Sequence, residues 1–385
     1  MTPAARAQAA IQILDRILAG DPAEAALLRW SRASRFAGSG DRGAVRDLVF
    51  DSLRRRDSRA ALGGGLSGRG LILGMCREEA IDPATLFTGQ GHAPEPLSPA
   101  ETNTTNAETN AGARADDLDL PGWLRPLWSD ALGDQANAVA LAMRDRAPVW
   151  LRVNRLRATP EQARQALDRD GIRTEPAPRL ATALRVLEGA RKLAGARAYR
   201  EGLIELQDLS PQLACAALPA SGRVLDYCAG GGGKALALAA AGASVTAHDI
   251  DAGRMADLPA RAKRAGARIR IAEPGQVGGA FDLVVTDVPC SGSGTWRRTP
   301  DAKWRLGPPD LARLTALQGA ILDRASSLVA PAGHLAYMTC SVLRAENDAQ
   351  IDAFLSRHRF DLLERHLFTP LTASDGFYLA LMRRG

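Results

Sequence analysis

Two cysteines, each at the end of a predicted β-strand, are the residues of this chain best suited to covalent chemistry. Cys290 closes the segment Thr286-Asp-Val-Pro-Cys290, and Cys340 closes the segment Tyr337-Met-Thr-Cys340. A thiolate is a strong nucleophile. At Cys290, the rigid Pro289 directly before it also fixes where the cysteine side chain points. Together with the acid Asp287, this pattern suits attack on a heteroaromatic ring, and the glycines after Cys290 leave room for a flat substrate.

A glycine-rich turn follows another predicted strand, Val224–Tyr227. Gly230–Gly233 allow the backbone to approach a ligand closely and leave helix N–H groups free to bind it. Asp249 ends the next strand about 20 residues further on, where an acid often binds a ribose. The same features occur in nicotinamide-binding and in S-adenosylmethionine-binding folds, so the turn alone leaves both cofactors open.

Strand and helix signals alternate from Gly222 onwards, which predicts an α/β domain with a doubly wound, mainly parallel sheet. The predicted strands are Val224–Tyr227, Ser244–Asp249, Phe281–Thr286 and Gly333–Met338. Ligands of such sheets sit at the carboxyl ends of the strands. Adjacent strands lie about 4.8 Å apart. If the strands that end near Asp287 and Cys340 are neighbours, both thiols face one pocket.

The rest of the chain divides by composition. Residues 4–86 have helical periodicity, residues 88–117 are polar and aperiodic, and Trp150–Val153 begins a short α/β stretch. We predict a helical domain at 1–87, a disordered linker at 88–117, a small α/β RNA-binding module at 118–203 and a cofactor-binding domain at 204–385.

The overall charge favours a polyanionic partner. The formal net charge is +6, and phosphate contacts with counterion release would use it. Arginine supplies nearly all of the positive charge, so a compositional bias explains the excess equally well. The segment Arg297–Trp304 adds cations and an aromatic ring, a mixture suited to phosphates and bases.

Cysteine spacing and hydropathy argue against a disulfide-bonded, a zinc-binding or a membrane-spanning protein. The five cysteines include no C-x-x-C pair, which argues against a disulfide framework or a zinc site and for reduced thiols. No apolar run approaches the roughly 18 residues of a membrane span. We therefore expect a cytoplasmic monomer without a metal ion and without membrane association.

Three motifs carry a resemblance to a known family. The strings VLDYCAGGGGK, TDVPCSGSGTWRRTPDAKW and YMTCSVLRAEND resemble motifs I, IV and VI of the Sun-type RNA cytosine-C5 methyltransferases, a bacterial rRNA-modifying family. Glu205–Leu213 and Asp375–Phe377 resemble other segments of that family, so the likeness covers residues 118–385. Residues 4–86 resemble, more loosely, the NusB-like helical domain of its small-subunit rRNA branch, mainly through Asp41–Phe50.

The resemblance implies a Rossmann-like class I methyltransferase domain and a specific reaction. The implied product is 5-methylcytosine in RNA, with 16S rRNA as the substrate and S-adenosylmethionine as the methyl donor. Cys340 would add to C6 of the cytosine, Asp287 would hydrogen-bond N3 and the amino group of the base, and Cys290 would assist release of the product.

The resemblance also implies a cofactor site around the glycine turn. Asp249 would bind the ribose, the glycine backbone would cradle the methionine portion, and Lys234 would lie near the cofactor carboxylate or Asp287. The residues expected at the cofactor are Cys228, Ala229, Gly230, Gly231, Gly232, Gly233, Lys234, Asp249 and Asp287. The chain departs from the family at Gly231, at Ala235 and near Ala272, where an acid is absent and the adjacent Glu273 is a candidate substitute.

Several alternatives stay open at this point. The RNA could be a tRNA, or the chain could be a non-catalytic RNA-binding or assembly factor. A nicotinamide-dependent oxidoreductase would leave both thiol motifs unexplained. A DNA cytosine-C5 methyltransferase attacks with the thiol of the Pro-Cys motif and lacks the Thr-Cys-Ser motif. Glu346 and Asn347 follow Cys340 at a predicted helix start, where we expect them to act as capping residues.

Overall fold

The computed structural model describes residues 1–103 and 118–385 and divides the chain into two compact units. The helical unit is Met1–Arg146 together with Trp296–Leu306, and the sheet unit is Ala147–Thr295 together with Gly307–Gly385. Within the linker predicted at 88–117, residues 104–117 lie outside the described residues. The described part, 88–103, contains a short helix at Pro99–Asn103.

Amphipathic helices packed around a shared apolar core form the helical unit. Its helices are α1 (Pro3–Leu18), α2 (Ala23–Ala33), α3 (Ser39–Arg54), α4 (Arg56–Gly63), α5 (Gly68–Glu78), α6 (Pro99–Asn103), α7 (Arg125–Leu132), α8 (Ala136–Ala142) and, later in the chain, α14 (Pro300–Arg305). Leu14 of α1, Val49 of α3 and Leu73 of α5 are fully buried in one apolar core. Helix α5 approaches α4 closely because Gly74 has no side chain: a Cβ there would lie 1.9 Å from the carbonyl oxygen of Arg59.

The segment Trp296–Leu306 is an integral part of the helical unit, although it is far from the other helices in sequence. The Trp296 ring stacks on Trp128 with centroids 6.1 Å apart. The Trp304 indole N–H donates to the carbonyl oxygen of Leu53 at 2.8 Å. Both contacts anchor the segment to helices formed much earlier in the chain.

This packing overturns the prediction that the cations of Arg297–Trp304 bind phosphates. Lys303 is 4% exposed and its ammonium donates to the carbonyl oxygen of Arg54 at 3.4 Å. Arg297 is also buried, and its carbonyl oxygen accepts a hydrogen bond from Arg54 at 2.6 Å. Side chains buried in this way cannot present their charge to RNA, so the prediction was wrong for Arg297 and Lys303.

A small antiparallel sheet begins the sheet unit. Its strands are β1 (Trp150–Val153), β2 (Arg173–Ala177), β3 (Leu180–Glu188) and β4 (Ile204–Leu206), in the order β2-β3-β1-β4. Helix α9 (Pro160–Arg169) contributes Ala163 and Leu167 to the core beneath it, and α10 (Arg197–Arg200) follows. The predicted strand Trp150–Val153 is confirmed.

A larger sheet of seven strands follows. Its strands are β5 (Arg223–Asp226), β6 (Ser244–His248), β7 (Ile269–Ala272), β8 (Phe281–Asp287), β9 (Val329–Thr339), β10 (Phe360–Phe368) and β11 (Phe377–Arg384), in the order β10-β11-β9-β8-β5-β6-β7. The strands β5 to β9 pair in parallel, and β11 is antiparallel to both of its neighbours. This confirms the predicted α/β fold with a mainly parallel sheet.

Both faces of the large sheet are buried. Along β8, Leu283 and Val285 enter one apolar core while Val284 enters the other, because successive side chains point to opposite faces. The helices that connect and cover the strands are α11 (Leu209–Ala216), α12 (Gly233–Ala240), α13 (Leu258–Ala265), α15 (Pro308–Ser326) and α16 (Asp348–Leu355). Within the described residues, none of the helices has the length and apolar character needed to cross a membrane.

Candidate active site

The two cysteines at the strand ends meet in the structure. Strands β8 and β9 are parallel neighbours, with Asp287 opposite Met338 in the register. The loops that continue them bring the Cys290 Sγ to 3.3 Å from the Cys340 Sγ. Both side chains are half-buried, so the pair is reachable from one side. The prediction that two thiols 50 residues apart share one site is confirmed.

An ion pair links this site to the glycine turn. Lys234, in the first turn of α12, donates from its Nζ to a carboxylate oxygen of Asp287 at the end of β8. Burial alone would lower the pKa of Lys234, but the neighbouring Asp287 carboxylate outweighs it and raises that pKa. The Asp287 side chain keeps 31% of its surface exposed. It can therefore hold the lysine and still contact a ligand.

The glycine turn connects the ends of β5 and β6. The Gly230 N–H donates to Asp249 Oδ2 at 2.9 Å, and the Ala229 N–H donates to the carbonyl oxygen of His248 at 2.8 Å. Gly232 precedes α12 with a φ of 77°, a conformation that favours glycine. A Cβ on Gly232 would lie 2.2 Å from the Leu258 side chain. The turn therefore needs glycine both for its backbone conformation and for the space behind it.

A buried acid, Asp226, lies next to this turn. Asp226 ends β5 and is 1% exposed, and neither of its carboxylate oxygens has a hydrogen-bond partner among the described residues. Burial raises its pKa to about 7, against the opposing effect of Lys234. A glycine cradle, the acid Asp249 and unused acceptors at Asp226 are features that fit a bound cofactor with ribose hydroxyls and an amino group.

Other residues that the resemblance singled out near the cofactor differ in how far they are buried. Cys228 lies in the turn, where burial and the nearby acids raise the pKa of its thiol, so it stays protonated. Gly231 is exposed, and its carbonyl oxygen accepts a hydrogen bond from Arg261. Ala235 is fully buried. Glu273, the candidate substitute for the missing acid, follows β7 and is exposed.

Glu346 and Asn347 do not act as caps through their side chains. Asn347 precedes α16, yet its side chain makes no capping hydrogen bond. Its Oδ1 accepts from Thr339 Oγ1 at 2.6 Å and its Nδ2 donates to the carbonyl oxygen of Ser341 at 2.9 Å. Glu346 accepts hydrogen bonds from the loops of both thiols. The capping interpretation was wrong, because these side chains turn inward to the loops around Cys340.

Backbone contacts that the sequence did not reveal complete the support of the site. The Gly294 N–H donates to the carbonyl oxygen of Cys340 at 2.9 Å, and the Gly376 N–H donates to the carbonyl oxygen of Gly294 at 2.8 Å. A Cβ on Gly294 would lie 2.1 Å from the Gly376 carbonyl oxygen. The two loops and the start of β11 therefore pack backbone against backbone, which only glycine permits at this spacing.

Comparison with known proteins agrees with this architecture. Residues 216–382 match the family model for the 16S rRNA methyltransferase RsmB/F, and residues 120–192 match the ferredoxin-like domain of RsmF/B-like methyltransferases. The ribosomal RNA small subunit methyltransferase B of Xanthomonas campestris pv. campestris is 37% identical over 259 residues, which are 64% of this chain and 59% of that protein. The chain thus spans about three fifths of the length of the curated relatives it matches.

Solved structures share the fold at lower sequence identity. The crystal structure of PH0851 has a TM-score of 0.75 at 22% identity and covers 100% of this chain and 99% of that chain. NSun6 from Pyrococcus horikoshii, solved with SFG, has a TM-score of 0.60 at 16% identity and covers 69% of this chain and 98% of its own.

The strand order, the glycine turn after β5 and the acid at the end of β6 define a Rossmann-like fold, and the matched family model makes the class that of the Rossmann-like methyltransferases. Within that class, the two matched regions and the curated relatives place the chain more narrowly. It belongs to the RsmB/F family, the Sun-type methyltransferases with a ferredoxin-like domain.

Proposed function

We propose that this protein methylates C5 of a cytosine in RNA, with small-subunit ribosomal RNA as its substrate. The observation that carries the proposal is the pair of thiols, 3.3 Å apart, beside the acid Asp287. The relatives named ribosomal RNA small subunit methyltransferase B support the choice of RNA. A bacterial ribosomal RNA substrate would place the enzyme in the cytoplasm.

The chemistry begins with covalent activation of the base. C5 of cytosine is a poor nucleophile, so Cys340 loses its proton and its thiolate adds to C6, which makes C5 electron-rich. As the thiolate adds, N3 of the ring takes up a proton from solvent. The Asp287 carboxylate, paired with Lys234, accepts hydrogen bonds from that N3–H and from the amino group and so stabilises the adduct. The target base must leave its stack to reach the thiols, which costs least in a loop or single-stranded site.

S-adenosylmethionine would supply the electrophilic methyl group. The residues of this chain fit it: the Gly230–Gly233 backbone can cradle the methionine portion, and the acid at the end of β6, Asp249, which the Gly230 N–H holds against the turn, is our candidate for binding the ribose. We assign Cys228, Ala229 and Lys234 to the same site because they flank the glycines at the strand end.

Release requires two bonds to break. Water, which reaches the half-buried thiols from one side, takes the proton from C5, and the electron pair of that bond restores the ring double bond as the Cys340 sulfur departs from C6 as a thiolate. We assign Cys290 to this release step, since its thiol touches the sulfur that must leave.

The test is methyl transfer from radiolabelled S-adenosylmethionine to RNA by the purified full chain. Cys340→Ala should abolish transfer, whereas Cys290→Ala should leave a protein–RNA adduct that survives denaturing electrophoresis. Cys76→Ala, which removes a buried thiol of the helical unit, is the matched control and should retain activity. Turnover by Cys340→Ala would refute the nucleophile assignment.

A second experiment identifies the RNA. Bisulfite sequencing of total RNA from a deletion strain should lack one 5-methylcytosine signal in small-subunit rRNA, and expression of the wild-type chain should restore it. A signal lost only from tRNA would contradict the proposed substrate while keeping the proposed chemistry.

A further inference from the structure

A single buried carboxylate joins the two loops that carry the thiols. Glu346 ends a short 3-10 turn after β9 and is 0% exposed. Its Oε1 accepts from the Ser291 N–H at 2.8 Å and from Gln318 Nε2 at 3.0 Å. Its Oε2 accepts from the hydroxyls of Ser291 and Ser341, each at 2.5 Å. Four donors from three separate segments thus converge on two oxygen atoms.

The positions of these donors connect Glu346 to the reaction. Ser291 directly follows Cys290, and Ser341 directly follows Cys340. A shift of the Glu346 carboxylate therefore moves both thiols together. The Ser293 hydroxyl, 2.8 Å from that of Ser341, adds a second link between the same two loops.

Gln318 extends this network to helix α15. Gln318 lies in the middle of α15, and its Nε2 also donates to the carbonyl oxygen of Pro289 at 2.9 Å. Pro289 directly precedes Cys290, so the Cys290 loop is held on both sides of the thiol. The Glu346 carboxylate is the acceptor that these donors share, because each of its four hydrogen bonds uses a lone pair of a carboxylate oxygen.

The charge of Glu346 also bears on which thiol keeps its proton. The hydrogen bond with Cys340, burial, and the nearby charges of Cys340 and Glu346 raise the pKa of Cys290 well above its usual value. A protonated Cys290 can donate to a thiolate at Cys340, which lies at hydrogen-bonding distance from it. The carboxylate therefore disfavours the competing thiolate as well as setting the distance between the sulfurs.

We propose that Glu346 is a positioning residue that fixes the spacing of the two thiols and keeps Cys290 protonated as the hydrogen-bond donor to the Cys340 thiolate. This inference rests on the proposed function, because it takes Cys340 as the nucleophile. Glu346 contacts neither sulfur through a hydrogen bond and acts through Ser291 and Ser341.

The experiment compares Glu346→Gln with a matched control, Glu364→Gln, which makes the same change at an exposed position on β10. A glutamine at 346 keeps the shape but replaces an acceptor oxygen with a donor that faces other donors. A misplacement of about 1 Å in an active site can cost about 100-fold in rate. We expect kcat to fall by about that factor, with the KM for S-adenosylmethionine unchanged, and we expect wild-type kinetics from Glu364→Gln.

A second readout separates positioning from general stability. The thiolate is the form that iodoacetamide alkylates, so mass spectrometry should find Cys340 modified well before Cys290 in the wild type. Glu346→Gln should lose that selectivity. A lower melting temperature with unchanged selectivity and unchanged kcat would overturn the inference. If Glu346→Gln does not fold, Ser291→Ala carries the same two measurements, because it removes the hydroxyl that donates to Glu346 Oε2 and keeps the backbone N–H that donates to Oε1.

Failure of the inference is distinguishable from failure of the proposed function. If the wild-type chain neither methylates RNA nor gives an adduct with Cys290→Ala, the proposed function fails and the inference falls with it. If the wild type methylates RNA and Glu346→Gln matches it in kcat and in alkylation selectivity, the inference alone is refuted.

Discussion

The buried acid next to the glycine turn gives a quantitative prediction about stability. Asp226 has no hydrogen-bond partner among the described residues, and burial raises its pKa from 3.8 to about 7. The folded protein therefore binds this proton more tightly than the unfolded chain. Its contribution to the free energy of unfolding is fully present below pH 3.8 and is lost as the pH rises through about 7.

The size of the effect follows from the shift. About three pKa units correspond to about 4 kcal/mol over the whole window, since each unit is worth about 1.4 kcal/mol. Between pH 5 and pH 8 the expected loss is about 3 kcal/mol, because part of the window lies below pH 5.

The perturbation is Asp226→Asn, which keeps the shape of the protonated acid and cannot ionise. Relative to the wild type, we expect the variant to gain about 3 kcal/mol of unfolding free energy when the pH is raised from 5 to 8. Urea unfolding at the two pH values measures this difference. Asp168→Asn, at an exposed position on α9, controls for the loss of one carboxylate. A difference between Asp226→Asn and wild type that does not change with pH would refute the reasoning.

Three further predictions concern the turn, the helical unit and the RNA. Gly232→Ala should destabilise the protein by about 1–3 kcal/mol more than Gly242→Ala, because both positions have a positive φ but only Gly232 would also clash, with Leu258; equal losses in urea unfolding would contradict this. Burial lowers the pKa of Lys303 to about 8 from 10.5, so its contribution to stability is present above pH 10.5 and is lost as the pH falls towards 8. Lys303→Met should remove that part of the pH dependence, as measured by unfolding at pH 8 and pH 10. RNA affinity measured by filter binding should fall steeply with salt, and a flat response would argue against an interface dominated by phosphate contacts.

The sequence was sufficient to predict the parts of the site that depend on strand ends. Strand signals before Asp287 and Cys340, combined with the rule that parallel strands end at one edge and with the usual strand order that makes these two strands neighbours, predicted that two distant thiols meet. The Lys234–Asp287 contact is one of the two positions that the family resemblance implied for Lys234, the other being near the cofactor carboxylate. For the thiol pair, the local sequence pattern and the sheet topology lead to the same prediction.

Other features depended on contacts that no local pattern encodes. Glu346 lies next to a helix start, where a capping acid and a buried brace have the same local sequence, and only the tertiary structure separates them. Gln318 lies inside α15 and is an ordinary helix residue by sequence. The cations and the aromatic ring of Arg297–Trp304 were interpreted as suited to phosphates and bases, but the Trp304 indole binds the carbonyl oxygen of Leu53, 251 positions earlier in the chain.

The discontinuity of the helical unit has a consequence for biosynthesis. Its first portion ends at Arg146, but the indole that stacks on Trp128 belongs to Trp296 and leaves the ribosome only after the intervening residues. At translation rates of roughly 5–20 residues per second, synthesis of the segment Trp296–Leu306 follows that of the first portion by on the order of ten seconds. During this interval the apolar side of Trp128 has no partner from Trp296, and a ribosome paused there would display an unfinished bundle to chaperones and proteases.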